Sequence, residues 1–441
     1  MKSKLQNLVV LILSLTIVIG SVFCLSSCSS LMFDLIDGIM SYGDENETKT
    51  EDIGDQTQND TQSPEGEGDK TPTVPESGDT SGDNTGTTEE DKELEFYPGM
   101  GSVPAENISA KNRTLLSTVV IITGFGNTPS AGSGVIYDID KETGDAYIIT
   151  NFHVIYSKNY GYCDSAKLYL YGMRYSEYAI EAKVVGGSAN YDIAVLKVEG
   201  SEVLKNSYAM AADFGDSEKV RVFDKVYAVG NPEGYGMAAT EGIVSVDSES
   251  LEMVGPRGDA IELRVIRVSA AINEGNSGGG LYDEDGKLIG IVCAKRIGSE
   301  VDNMGYAIPS NLAKNLVDNI IYFCSDGTKN AVQRPLIGIT ITAKVIGVVA
   351  DGETGELVKA ERIEISELTE TCIAKDVVAV GDIVNSISVD GVKIDVTRIH
   401  HVIDHMLTAR VGSTVVMNVT RAGVAMDVTF TVPESAFTSV E

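Results

Sequence analysis

Gly275-Asn276-Ser277-Gly278-Gly279 decides how the rest of this chain is read. It lies downstream of Thr150-Asn151-Phe152-His153-Val154 and of Asp192-Ile193-Ala194-Val195-Leu196-Lys197. A serine hydroxyl is a weak nucleophile until a base takes its proton. An imidazole is a good base only when a carboxylate holds its tautomer and orientation. All three partners occur in the order His, Asp, Ser, each at the edge of an apolar run. The base is nearly forced, because of four histidines only His153 lies outside the last fifth of the sequence. His153 reads as general base, Asp192 as its orienting acid and Ser277 as nucleophile.

The glycines beside Ser277 have a mechanical role. In a tight turn the N–H groups of Gly275 and Ser277, with Asn276 as a third donor, can face one oxygen. That is an oxyanion hole, worth about 10²–10³ in rate per donor. Gly275-x-Ser277-x-Gly279 also matches the nucleophile elbow of α/β-hydrolases, and His400, His401 and His405 do lie downstream. The elbow needs a strand–turn–helix context. Leu281-Tyr282, Asp285-Gly286 and Leu288-Ile289-Gly290-Ile291-Val292 read instead as strand, turn, strand.

Short β-rich runs recur on both sides of these motifs. Ser117–Thr123, Ser133–Tyr137, Tyr147–Thr150, Lys167–Tyr171 and Ile193–Val198 form one set. Val220–Val229, Glu262–Val268 and Leu288–Ala294 belong to a second. Strands at this spacing with few helices predict barrels. His153 and Asp192 fall in the first set and Ser277 in the second, so the cleft is expected between two barrels. The order His, Asp, Ser is the one chymotrypsin-like double-barrel proteases use. Pro309-Ser310 opens an amphipathic run, Asn311–Phe323, read as a closing helix.

From about Thr114 to Val432 the chain resembles the HtrA (Deg) family of serine proteases. The resemblance rests on Gly132-Ser133-Gly134-Val135-Ile136, on the His153 and Asp192 segments, and on Val229-Gly230-Asn231-Pro232. Gly242-Ile243-Val244-Ser245, Ala270-Ala271-Ile272-Asn273 and Gly305-Tyr306-Ala307-Ile308-Pro309 complete it. It implies an all-β architecture: a chymotrypsin-like double β-barrel protease domain over 111–326, then a PDZ domain (a β-sandwich with helices) over 335–435. It also implies a homotrimer. Family members usually carry Pro where Glu274 and Gly280 stand, so the backbone beside the nucleophile is expected to be less rigid here. Many digestive relatives carry Asp where Asn276 stands, to pair with a newly cut N-terminus. An amide cannot make that ion pair, so no cleavage-released N-terminus is expected.

Arg334-Pro335-Leu336-Ile337-Gly338-Ile339 resembles the carboxylate-binding loop of PDZ domains. The amides of Ile337, Gly338 and Ile339 would receive a peptide C-terminus, and the peptide would add as a strand to the sheet edge. Thr397–Thr408 has the apolar stripe of a half-buried helix. His401 and His405, four apart on another face, read as solvated rather than as a zinc pair. The region Thr340–Glu370 fits PDZ spacing less well. Ala271, six residues before the nucleophile, and Ile272 are candidates for an uncharged substrate pocket suited to small or medium aliphatic side chains.

The first part of the chain reads as targeting and tether. Lys2 and Lys4 precede an apolar run from Leu8 to Phe23, and Leu25-Ser26-Ser27-Cys28 resembles a bacterial lipobox. Residues 1–28 are therefore expected to be a lipoprotein signal peptide, with lipid on Cys28. An uncleaved transmembrane anchor is the alternative. Residues 29–110 are expected to be an acidic disordered linker. Ser41–Glu95 alone holds 18 Asp plus Glu against 3 Lys plus Arg, or 3 − 18 = −15 of the formal −31. Such a segment cannot bury enough apolar surface to fold. The acidic balance argues against nucleic acid as a partner. Cys163, Cys293, Cys324 and Cys372 lack metal-ligand spacing, and no metal or organic cofactor is implied. The expected partners are misfolded or exposed proteins outside the membrane, peptide C-termini and the membrane itself. The rival function is a peptide-binding chaperone or scaffold with an idle triad, against which the intact triad argues.

Overall fold

The computed structural model describes residues 107–173, 178–234, 236–294, 304–350 and 355–441. Cys28 and most of the acidic stretch lie outside them. Among the described residues no helix is long and apolar enough to cross a membrane.

The first run of strands closes into a barrel in the order Thr118–Phe125, Thr128–Asp140, Asp145–Thr150, Ile193–Val198, Ile180–Ser188, Ser165–Leu170. The second closes in the order Lys225–Gly230, Ala238–Val254, Ala260–Val268, Gly305–Pro309, Leu288–Ala294, Gly280–Tyr282. Every neighbouring pair is antiparallel, and the two barrels share one strand order. β-branched and leucine side chains on the inner faces drive closure. Ile121, Ile136, Ile148, Leu168 and Leu196 are fully buried in the first barrel, and Val226, Val244, Ile266 and Val292 in the second. Each such side chain contributes about 1.5–3 kcal/mol.

Turn chemistry sets the corners. Asp283 accepts from the amides of Asp285 and Lys287, and Gly286, at φ 76°, turns the chain into Leu288–Ala294. One apolar cluster crosses the interface between the barrels. It joins Ile149 and Val195 of the first to Leu263 and Ile291 of the second, and to Leu312, Leu316 and Ile320 of the helix Ser310–Cys324.

The chain then forms an antiparallel sheet in the order Ile339–Ala350, Leu357–Leu368, Ile383–Val389, Thr414–Arg421, Val424–Thr431. Val392–Asp395 pairs with Ile383–Val389 on one side. Val402 and Met406 of the helix Ile399–Met406 are buried in the core of this sheet. The poorly fitting region 340–370 is a hairpin of two 12-residue strands. Its register shifts between Thr340 and Ile341 and between Val345 and Gly347, which breaks the regular alternation expected of a strand.

Candidate active site

The base and the acid come from neighbouring strands. Asp145–Thr150 runs directly into the short helix Phe152–Ile155, which carries His153. Ile193–Val198 begins one residue after Asp192. These strands pair in register, with Thr150 opposite Ala194. His153 Nδ1 therefore meets Asp192 Oδ2 at 2.8 Å, and the His153 backbone N–H donates to Asp192 Oδ1 at 3.0 Å. Asp192 sits at φ 49°, a left-handed conformation that Asp tolerates better than most residues. The Asn151 side-chain amide donates to the Asp192 carbonyl at 2.9 Å and holds it there.

Asp192 is 3% exposed, whereas the His153 side chain is 36% exposed. Burial opposes the imidazolium, but the charge and hydrogen bond of Asp192 outweigh it. The His153 pKa is raised above the ordinary 6.5. With Nδ1 committed to Asp192, Nε2 is the nitrogen left for a proton transfer.

The nucleophile turn belongs to the second barrel but is shaped by the first. Ser133 donates its N–H to the Ser277 carbonyl at 2.8 Å and its hydroxyl to the Gly275 carbonyl at 2.7 Å. The same hydroxyl accepts the Asn231 N–H at 2.8 Å. Gly278 lies at φ 85°, and a Cβ there would stand 2.2 Å from the Ser133 carbonyl oxygen. Only glycine fits that close approach. In the sequence Ser133 stands only as one residue of the motif Gly132-Ser133-Gly134-Val135-Ile136, with no role of its own. The signal that could have found it is a serine between two glycines, Gly132-Ser133-Gly134, directly before the apolar pair Val135-Ile136.

Of the three candidate oxyanion donors, the Asn276 N–H is spent on the Asn273 carbonyl at 3.1 Å. This removes Asn276 from that role and leaves Gly275 and Ser277. Gly275, at φ 91°, takes a turn conformation that L side chains rarely adopt. Gly280 is paired on both sides, and the Tyr282 ring lies where a Cβ would be, 2.3 Å away. The Tyr282 hydroxyl in turn bonds Ser117 and Thr118 of the first barrel. Ala271 is exposed, and its carbonyl accepts from Thr240. Ile272 is 5% exposed and packs in the second-barrel core beside Gly305, so its side chain is structural.

In the C-terminal sheet domain, Ile337, Gly338 and Ile339 line a groove of about 420 Å³ with Val402, Ile403 and Met406 of the helix. The carbonyls of Ile337 and Gly338 point inward, accepting from Ile373 and Thr369. Gly338, at φ 75°, lies against Cys372, where a Cβ would come within 2.6 Å. The histidines on the far side of the helix are not solvated as expected. His405 is 6% exposed and donates to the Val392 carbonyl, while His400 and His401 pack against Glu218.

Two closed barrels with a carboxylate-held histidine on one and a glycine-framed serine on the other define a trypsin-like fold. Residues 132–291 match the trypsin-like peptidase domain family. The serine protease Do-like HtrA of Bacillus subtilis (strain 168) is 37% identical over 213 residues, 48% of this chain and 42% of that one. The serine protease Do-like HtrA of Lactobacillus helveticus is 31% identical over 312 residues, 68% of each chain. A probable periplasmic serine endoprotease, DegP-like, of Brucella suis biovar 1 (strain 1330) is 37% identical over 203 residues, 45% of this chain and 34% of that one. The chain belongs to the HtrA family of serine proteases. It spans about half the length, or less, of several curated relatives it matches, 42% and 48% of the first two.

Proposed function

We propose that this chain is a serine endopeptidase acting on misfolded or exposed proteins outside the cytoplasmic membrane. Ser277 attacks the peptide carbonyl as His153 takes its proton. His153 then delivers that proton to the leaving amine. Asp192 fixes the imidazole tautomer and stabilises its cation, and the amides of Gly275 and Ser277 receive the oxyanion. The observation that carries this reading is the 2.8 Å contact of His153 Nδ1 with the buried Asp192 carboxylate in the first barrel, the barrel whose Ser133 N–H also bonds the Ser277 carbonyl. Ala271, six residues before the nucleophile, is uncharged, and this reading takes cleavage after Val, Ala or Leu as its specificity, because an unpaired buried Lys or Arg is costly.

The C-terminal groove is the PDZ-type site of this reading. A peptide carboxylate would sit on the Ile337–Ile339 amides and its apolar last side chain against Val402 and Met406, biasing the loops around Ser277. The periplasmic designation of the Brucella suis relative supports an extracytoplasmic location. Lipid on Cys28, the acidic spacer over 29–110 and a homotrimer complete the proposal. Hydrolysis of unfolded casein tests it. Wild type should degrade casein and Ser277→Ala should not. Peptides with a free apolar C-terminus should stimulate a small reporter substrate severalfold, and amidated ones should not. Undiminished casein hydrolysis by Ser277→Ala rejects the triad, and equal stimulation by both peptides rejects carboxylate recognition.

A further inference from the structure

All three histidines outside the triad converge where the C-terminal domain meets the second barrel. His400 Nε2 and His401 Nε2 both point at one oxygen, Glu218 Oε2, at 3.2 Å and 3.1 Å. Glu218 lies in the short turn Ser217–Lys219, 182 positions before His400 in the chain. The three donor atoms fall within 4.8 Å of one another. The two His side chains are 12% and 13% exposed, and they line a cavity of about 490 Å³ with Asp216, Asp395 and Asp404.

We propose that Glu218, His400 and His401 form a binding site for a transition-metal cation of the zinc class, which pins the C-terminal domain to the protease barrel. A tetrahedral zinc ion at about 2.0–2.1 Å from N and O ligands sets donor–donor edges of about 3.3 Å. The two Glu–His separations already match that edge. Two donors sharing such an ion can stand at most about 4.2 Å apart, so the imidazoles need only a small rotation to close on it.

The outer partners fit as well. Metal at His401 Nε2 requires the proton on Nδ1, and Nδ1 lies 3.1 Å from the Asp395 carbonyl, which can accept it. A backbone carbonyl behind a ligating imidazole is the usual way its tautomer and ring plane are fixed. The longer contact, Thr397 N–H to Nδ1 at 3.3 Å, belongs to the other tautomer.

Charge points the same way. Arg264 reaches Glu218 Oε1 at 3.5 Å and pairs with Asp404, which leaves Oε2 to the histidines. Two carboxylates against one guanidinium leave a net negative cluster in a half-buried setting, and a divalent cation offsets it. The fourth position is open to water. The opposite face of the same helix lines the groove through Val402, Ile403 and Met406, so the ion would hold the groove's helix fixed on the barrel.

Calorimetric titration of the full chain with Zn²⁺ alone tests the site, with Co²⁺ as a spectroscopic substitute. One tight site per chain is expected, with four-coordinate Co²⁺ absorption. The His400→Ala/His401→Ala double variant and Glu218→Gln should each lose at least about 100-fold in affinity. His153→Ala should bind as wild type does, separating this site from metal captured at the catalytic imidazole. Reporter-peptide cleavage by the double variant without zinc reads its folding, and an active double variant that has lost zinc supports the site. Zinc binding retained in the double variant, lost in His153→Ala, or absent from wild type overturns it.

Discussion

The two barrels share one strand order but contribute to the site in different ways. In the first, His153 and Asp192 sit at the ends of hydrogen-bonded neighbours, so their contact follows from register alone. In the second, Ser277 sits on a turn that the other barrel helps to shape, through Ser133, which bonds the Ser277 and Gly275 carbonyls and leaves no room for a Cβ at Gly278. The base–acid pair is a property of one barrel, whereas the nucleophile's geometry is a property of the interface between two. A substitution can therefore damage the chemistry from within a strand pair or across the cleft, and the two kinds of damage differ in size and signature.

The largest effect is expected within the first barrel. Asp192→Asn keeps a left-handed-tolerant residue but holds the wrong imidazole tautomer. Reporter cleavage should drop on the order of 10⁴ in kcat with little loss of thermal stability. A loss below tenfold would mean that the pair does not orient the base.

Gly278→Ala is the matching break across the cleft. Its Cβ meets the Ser133 carbonyl at 2.2 Å, in a φ of 85°. Strain and overpacking together should cost about 2–5 kcal/mol, read as a fall in denaturant midpoint along with activity. An unchanged midpoint would show that the turn does not press against the first barrel.

Ser133→Ala should do less. It leaves the Gly275 carbonyl and the Asn231 N–H without their hydroxyl partner, worth about 1–3 kcal/mol. We expect a kcat loss of roughly ten- to a hundredfold at nearly constant KM, with partial recovery in Ser133→Thr. A change in KM alone would assign Ser133 to substrate binding rather than to positioning.

The smallest effect is in pH dependence. The base must be neutral, and the His153 pKa lies above the ordinary 6.5. The acid limb of kcat/KM should therefore fall at a pH above that value, and the limb of Asp192→Asn should move lower. Stability runs the other way. The pair's contribution is fully present below the unfolded-state pKa and is lost as pH rises through the folded-state value. A wild-type limb below 6.5 would contradict the Asp192 contact.

Much of this was legible because the signals are local. The apolar runs, Asp-Gly turns and ordered His, Asp and Ser segments each announce themselves within a few residues. What stayed hidden depends on partners far away in the chain. Ser133 gains its role from Gly275 and Ser277, 142 positions from the first of them. Gly280 looked like a lost proline, but the fold of Tyr282 back over it makes glycine necessary. Ile272 reads with Ala271 as a pocket residue, yet the loop after Ala260–Val268 packs its side chain into the second-barrel core. His405 looked like a surface residue, and docking of its helix buried it. The Asn276 amide could not be distinguished from its neighbours until the turn showed it bonded to Asn273.

The most direct measurement is covalent labelling with a fluorophosphonate followed by peptide mapping. A phosphonylated Ser277 in wild type, with labelling slowed on the order of 10⁴ in Asp192→Asn and absent in Ser277→Ala, is the result this account predicts. Labelling at another residue, or equal labelling rates in wild type and Asp192→Asn, would contradict it.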